Sequence, residues 1–139
     1  MKRTFVDACV LIAAARGKGD VFDRALEILD DPEREFASSF FVKLEILPKA
    51  LYYRHQDEAE FYRTFFADHV SYWADDLTDL PPAAYEEACK YGLSAIDALH
   101  VVAAAAVGAA ELVTCERETS PLFRTQAVRV VSLHSEQGS

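Results

Sequence analysis

Cysteine is scarce, with only Cys9, Cys89 and Cys115 among 139 residues. The number is odd and no two are spaced as a CxxC pair, which argues against a disulfide framework, a CxxC zinc site and a CxxC redox site. Such usage fits a reduced, cytoplasmic protein. Glycine and proline are also sparse, at five each, which excludes a collagenous or low-complexity chain. Basic residues are outnumbered: 14 Lys and Arg stand against 23 Asp and Glu, a net charge of −9. That excludes a generic polycation that coats any phosphate backbone. It leaves room for a nucleic-acid enzyme, because a bound cation can supply positive charge where it is needed. No apolar run approaches membrane-spanning length. The longest candidate, Ala98 to Ala110, contains His100 and is too short, so no membrane partner is expected. Near the N-terminus, Asp7 arrives before a signal-peptide core could form.

What is present is an ordinary globular composition, 51% hydrophobic and 27% charged. The length predicts one domain, residues 1–134, followed by a polar tail at 135–139. Thr4-Phe5-Val6 reads as a short buried strand that ends at Asp7. A helix follows from Val10 to Ala15, and Gly17 and Gly19 interrupt it. Val21, Phe22, Ala25, Leu26 and Leu29 recur at helical spacing. Glu35-Phe36-Ala37 reads as a second strand, and Ser38 or Ser39 caps a helix with Phe41, Leu44, Leu47 and Leu51 on its apolar positions. Pro48 predicts a kink or loosened turn just after Glu45. Asp57-x-x-Glu60 is spaced as a capping box for a helix through about His69. Pro81-Pro82 starts another, ending at Gly92. Ser94-Ala95-Ile96-Asp97 opens an alanine- and valine-rich helix that runs to Gly108. Leu112-Val113-Thr114 and Val128 to Ser132 read as strands. Strands alternating with helices predict a parallel sheet with helices on both faces.

Ligands of such sheets sit beyond the carboxyl ends of the strands. Asp7 follows the first strand directly, and Glu116 comes two residues after Thr114. Asp97 lies in the first turn of its helix, and Glu45 within the first two turns of the helix after the second strand. Each has an ordinary reading taken singly: Asp7 as an N-cap, Asp97 as part of a capping box, Glu45 as a solvated helix residue, Glu116 as a loop acid. His100 reads as a hydrogen-bonded core histidine. Together they suggest more. Asp97 is the lone acid in an otherwise apolar helix, and converging carboxylates repel unless a cation intervenes. Oxygen ligands suit Mg²⁺ or Mn²⁺.

Four stretches resemble the PIN-domain nucleases in order and spacing. Phe5-Val6-Asp7-Ala8-Cys9-Val10-Leu11-Ile12 resembles their opening strand and first acid. Ser39 through Glu45-Ile46-Leu47 resembles the second motif, and Leu93-Ser94-Ala95-Ile96-Asp97-Ala98-Leu99-His100 the third. Gly108 through Thr114-Cys115-Glu116 resembles the strand that carries the fourth. The chain departs from the family twice: Cys9 stands where Asn or Ser is usual, and Glu116 where Asp is more common. The resemblance implies a three-layer α/β/α sandwich with a mostly parallel central sheet. It also implies a metal-dependent ribonuclease in which Asp7, Glu45, Asp97 and Glu116 are catalytic and hold Mg²⁺ or Mn²⁺. Many small members are VapC-type toxins, which implies an RNA substrate, an antitoxin protein and a homodimer.

Candidate phosphate contacts are Arg16, Lys18, Lys43, Lys49, Arg117 and Arg124, each otherwise a plain surface charge. The aromatic segment Phe61-Tyr62-x-x-Phe65-Phe66, with Tyr52, Tyr53, Tyr72 and Trp73, reads as core, and any exposed part of it as a dimer or antitoxin surface. Rival readings are a PIN-fold RNA- or protein-binding module that does not cleave, a metal-dependent phosphatase, and a DNA nuclease.

Overall fold

A computed structural model describes residues 1–134; the polar tail expected at 135–139 lies outside the described residues. Five strands form one wholly parallel sheet in the order β3-β2-β1-β4-β5. They are β1 (Lys2–Val6), β2 (Arg34–Ser39), β3 (Val70–Ala74), β4 (Glu111–Thr114) and β5 (Val130–Ser132). Six helices connect them: α1 (Ala8–Arg16), α2 (Asp20–Leu29), α3 (Phe40–Tyr52), α4 (Gln56–Thr64), α5 (Leu80–Tyr91) and α6 (Ala95–Ala106). A π-helical turn covers Phe65–His69 and a 3₁₀ turn covers Pro121–Arg124.

The chain walks outward from β1 through β2 to β3, then returns to the other side of β1 with β4 and β5. Right-handed crossovers therefore place α1 to α4 over one face and α5 with α6 over the other. This is the three-layer α/β/α sandwich, and its sheet is parallel throughout. The reversal between β1 and β4 opens a crevice at their carboxyl ends, the place where open α/β sheets bind ligands.

The central strands are short and apolar because both of their faces are covered. Phe5, Val6, Ala37, Leu112 and Val113 are fully enclosed. α6 packs closely on the sheet because small side chains line it: Ala98, Ala103 and Ala104 are buried beside Val101. At the opposite end of the sheet, Glu111 is buried and bonded to Arg34 and Thr4.

The structure departs from expectation at several places. α1 begins at Ala8, two residues early, because Asp7 itself caps it. α3 is continuous from Phe40 to Tyr52 with Pro48 inside it, in keeping with the apolar spacing through Leu51. α4 is capped by His55 with no side-chain bond, so the Asp57–Glu60 box does not form. β3 is an edge strand that the pattern did not suggest, and the aromatic segment is mostly core, with Tyr62, Phe65 and Phe66 buried. β5 is confined to Val130–Ser132.

The turn after α3 carries one backbone oddity. Arg54 has φ 59°, the one positive φ at a non-glycine position among the described residues. The His55 N–H donates to the Ala50 carbonyl at 2.9 Å and the Arg54 N–H to that of Leu51 at 3.1 Å. This is a Schellman motif with arginine at the position that favours glycine.

Candidate active site

Asp7 occupies the β1 side of the crevice. Its N–H continues the ladder to the Val113 carbonyl at 2.9 Å, and its Oδ1 accepts from the Ala8 N–H at 2.8 Å. The N-cap reading is therefore correct as far as it goes. Pairing of Val6 with Val113 brings Thr114 alongside, and the Thr114 hydroxyl donates to Asp7 Oδ2 at 2.8 Å. The carboxylate is held from both oxygens and is only 7% exposed.

His100 links Asp7 to Glu45. Its Nε2 lies 2.9 Å from Glu45 Oε1 and 3.7 Å from Asp7 Oδ1. The three ligand atoms of Asp7, Glu45 and His100 lie within 4.8 Å of one another. The imidazole, on the sheet side of α6, is buried against Phe5, and its Nδ1 has no hydrogen-bond partner among the described residues. His100 is buried and hydrogen-bonded, as expected of a core histidine, and its Nε2 also stands among the atoms that could ligate a metal.

Asp97 sits in the first turn of α6, where Ser94 caps the helix by accepting from the Asp97 N–H at 3.2 Å. Its carboxyl is raised above the usual carboxylate range, first by burial and then by the negative charges of Asp7 and Glu116. Ser94 and His100 oppose that rise. Glu116 follows β4; its N–H donates to Thr114 Oγ1 at 3.1 Å and its Oε2 accepts from Ser120 at 2.9 Å. Of the four predicted acids, the structure brings Asp7 and Glu45 together at His100; Asp97 and Glu116 are not in that group, though the charges of Asp7 and Glu116 act on Asp97.

The donor set fits a hard divalent cation. Several carboxylates compete for one half-buried space, their charges disfavour ionisation of Asp97, and the N-termini of α1 and α6 supply only partial positive charge. Two supporting residues were missed from sequence. Thr114 could have been found from the register beside Asp7, had the strand pairing been known. Ser120 gives no sequence signal of its role.

Cys9 and Cys115 flank the site. Cys9 Sγ accepts from the Cys115 N–H at 2.9 Å and lies 3.6 Å from Thr114 Oγ1. Its thiol is pushed well up by the Cys115 side chain and by burial. Of the candidate cations, Arg16 is engaged by Glu58 and Arg124 by the Tyr91 carbonyl. Lys49 and Arg117 are exposed and make no ion pair among the described residues.

The PIN domain family model matches residues 4–123. Among solved structures, the chain resembles a toxin–antitoxin complex from Klebsiella pneumoniae, at 21% identity and TM-score 0.70 over 94% of this chain and 98% of that one. It resembles VapBC2 from Rickettsia felis bound to a DNA fragment from their promoter, at 16% identity and TM-score 0.68 over the same shares, 94% and 98%. FitAcB from Neisseria gonorrhoeae is similar at 16% identity and TM-score 0.61, over 94% and 97% of the two chains. At these identities the likeness is one of fold. No curated protein matches the chain in sequence.

Proposed function

Because the chain belongs to the PIN domain family, we propose that it is a divalent-metal-dependent ribonuclease and the toxin of a toxin–antitoxin pair. The observation that carries the reading is the meeting of Asp7, Glu45 and His100, whose ligand atoms lie within 4.8 Å of one another, with Asp97 close enough for the charges of Asp7 and Glu116, together with burial, to raise its carboxyl.

In this reading Asp7, Glu45 and Asp97 hold Mg²⁺ or Mn²⁺, and Glu116 completes the pocket. Bound there, the ion supplies Lewis acidity toward the phosphodiester and a more acidic water. The chain's own groups do the positioning. Thr114 and the α1 N-terminus fix both oxygens of Asp7. His100 orients Glu45, and Ser120 restrains Glu116. Outer partners of this kind set ligand direction and basicity.

Residues 1–134 act as one unit in this proposal, and the setting is cytoplasmic. The described residues contain no helix long and apolar enough to cross a membrane. The similar folds that come from toxin–antitoxin complexes favour an antitoxin partner. Phe40, Leu44 and Leu51 leave an apolar stripe exposed on α3. It is the surface available to the antitoxin or to a second copy. A clean monomer by gel filtration at micromolar concentration would count against the homodimer.

The deciding experiment compares wild-type protein with Asp7→Asn on RNA, single-stranded DNA and a phosphomonoester, with and without Mn²⁺. RNA cleavage that needs both Mn²⁺ and Asp7 is the expected result. Cleavage indifferent to Asp7 refutes the site, and preference for DNA or a monoester refutes the substrate. The non-cleaving alternative, a PIN-fold RNA- or protein-binding module, draws its support from Cys9 and Glu116. RNA left intact under every condition would favour it.

A further inference from the structure

The turn from α3 to α4 holds an exposed aromatic and basic group that the carboxylate site does not use. Tyr53 is 63% exposed, and its ring stacks on His55 at 6.1 Å between centroids and 28° between planes. Tyr52 meets Tyr53 edge-on at 4.9 Å. Beside them a cavity of about 430 Å³ is lined by Lys49, Ala50, Tyr53, His55, Arg16 and Glu58, where Glu58 pairs with Arg16 at 2.9 Å and lies 3.8 Å from His55, leaving Lys49 as the unpaired charge of the lining among the described residues. Lys49 and Arg54 are exposed and form no ion pair among the described residues. An acidic protein has here placed two free cations around a stacked aromatic pair.

The group is continuous with the acidic crevice. Glu45, Lys49 and Tyr53 are four residues apart along α3, so they drift over one edge of the helix within an arc of about 80°. Eight residues of helix span about 12 Å, a length of roughly three to four stacked nucleotides. The apolar stripe of Phe40, Leu44 and Leu51 lies about 100° or more around the helix from Glu45. The aromatic corner is therefore not an extension of that stripe.

Arg54 provides an independent observation. Its backbone is left-handed in a helix-ending motif that glycine closes with less strain. The side chain makes no hydrogen bond among the described residues that would offset the strain. The two backbone bonds that end α3 need a left-handed residue here, but they need no arginine, so the side chain is free for another role.

We infer that Lys49, Tyr53, Arg54 and His55 form a binding subsite for single-stranded RNA, with a base stacked on the Tyr53–His55 pair and flanking phosphates on Lys49 and Arg54. Stacking on aromatic rings is tolerant of base identity, and cations beside it follow the backbone. The inference rests on the RNA reading of the carboxylate crevice and names where the substrate strand leaves it.

The test is fluorescence anisotropy of a labelled ten-nucleotide single-stranded RNA titrated with the full chain in EDTA, so that binding is read without cleavage. Tyr53→Ala should weaken binding roughly tenfold, within the range of about 5- to 150-fold per stacked base, and Tyr53→Phe should restore it. Arg54→Gly should raise the melting temperature yet weaken binding, and lower the salt slope by about one. A protein that is more stable but binds less is an outcome a purely structural turn cannot produce. Unchanged affinity in both Tyr53→Ala and Arg54→Gly overturns the inference, as does a wild-type chain that binds no RNA. Unchanged affinity with an altered elution volume for Tyr53→Ala reassigns the corner to protein contact and also overturns it. The two readings fail separately. Wild-type protein that binds through Tyr53 but leaves RNA intact with Mn²⁺ sinks the nuclease alone. Cleavage with Tyr53→Ala neutral sinks the subsite alone.

Discussion

The hydroxyl of Thr114 donates to Oδ2 of Asp7 at 2.8 Å, joining the ends of two neighbouring parallel strands. The Thr114 hydroxyl oxygen in turn accepts from the Glu116 N–H at 3.1 Å. One side chain thereby orients the first acid and restrains the loop of the last. Thr114→Val keeps the shape and removes both bonds. It is expected to lower Mn²⁺-dependent cleavage by about 10- to 100-fold and stability by about 1–2 kcal/mol, with Thr114→Ser close to wild type. Full cleavage by the valine variant would show that Asp7 needs no such support.

Asp97 gives a prediction in pH. Its folded carboxyl holds a proton more tightly than the unfolded chain does, first through burial and then through Asp7 and Glu116. The folded state is thus favoured at low pH, and that support is lost as pH rises from the ordinary carboxylate value through the raised one. Without metal, Asp97→Asn should melt higher than wild type at pH 7 and about equally at pH 3. Mn²⁺ should stabilise wild type more than the variant, and cleavage should fall on the order of 10²-fold or more. A variant that melts lower at pH 7 removes the repulsion argument.

The cysteines should separate by reactivity. Cys89 is exposed, whereas the Cys9 thiol is pushed up by the Cys115 side chain and by burial. Thiolates, not thiols, react with disulfide reagents. A colorimetric thiol titration at pH 8 should modify Cys89 first and Cys9 last, with all three reacting in denaturant. Early labelling of Cys9, located by peptide mapping, would contradict the enclosure seen between Thr114 and Cys115.

Far from the crevice, Arg34 neutralises the buried Glu111, which also accepts from Thr4 at 3.0 Å. Lys2 is 3.7 Å away on the solvent side. Arg34→Met leaves that carboxylate nearly alone and should cost about 3 kcal/mol in urea unfolding. Adding Glu111→Leu should recover much of the loss. Additive losses in the double variant would show that the two residues do not act as a pair.

How much of this was legible in sequence depended on burial. β1, β4 and α6 are enclosed on nearly all sides, so their apolar runs announced them. β3 could not be read, because Val70–Ala74 continues an aromatic run at helical spacing and alternates only as a half-exposed edge. The π-helical turn before it absorbs the change of period. The elements that carry the four acids could be read because strand ends and helix starts are local features. Their supporters could not: Thr114 depends on sheet register, and the His100 bond to Glu45 depends on how α6 meets α3 across the top of the sheet. Arg54 was passed over because nothing in its neighbours' identities signals a left-handed backbone.

The strand order has a consequence for synthesis. The middle of the sheet is made first, but its β4 neighbour comes much later, Thr114 following Asp7 by 107 positions. At ribosomal speed that interval is roughly 5 to 20 s. A nascent chain therefore displays Asp7 for most of its elongation without Asp97, Thr114 or Glu116. Under the nuclease proposal the pocket cannot act during translation, because it is complete only after residues 111–116 have emerged.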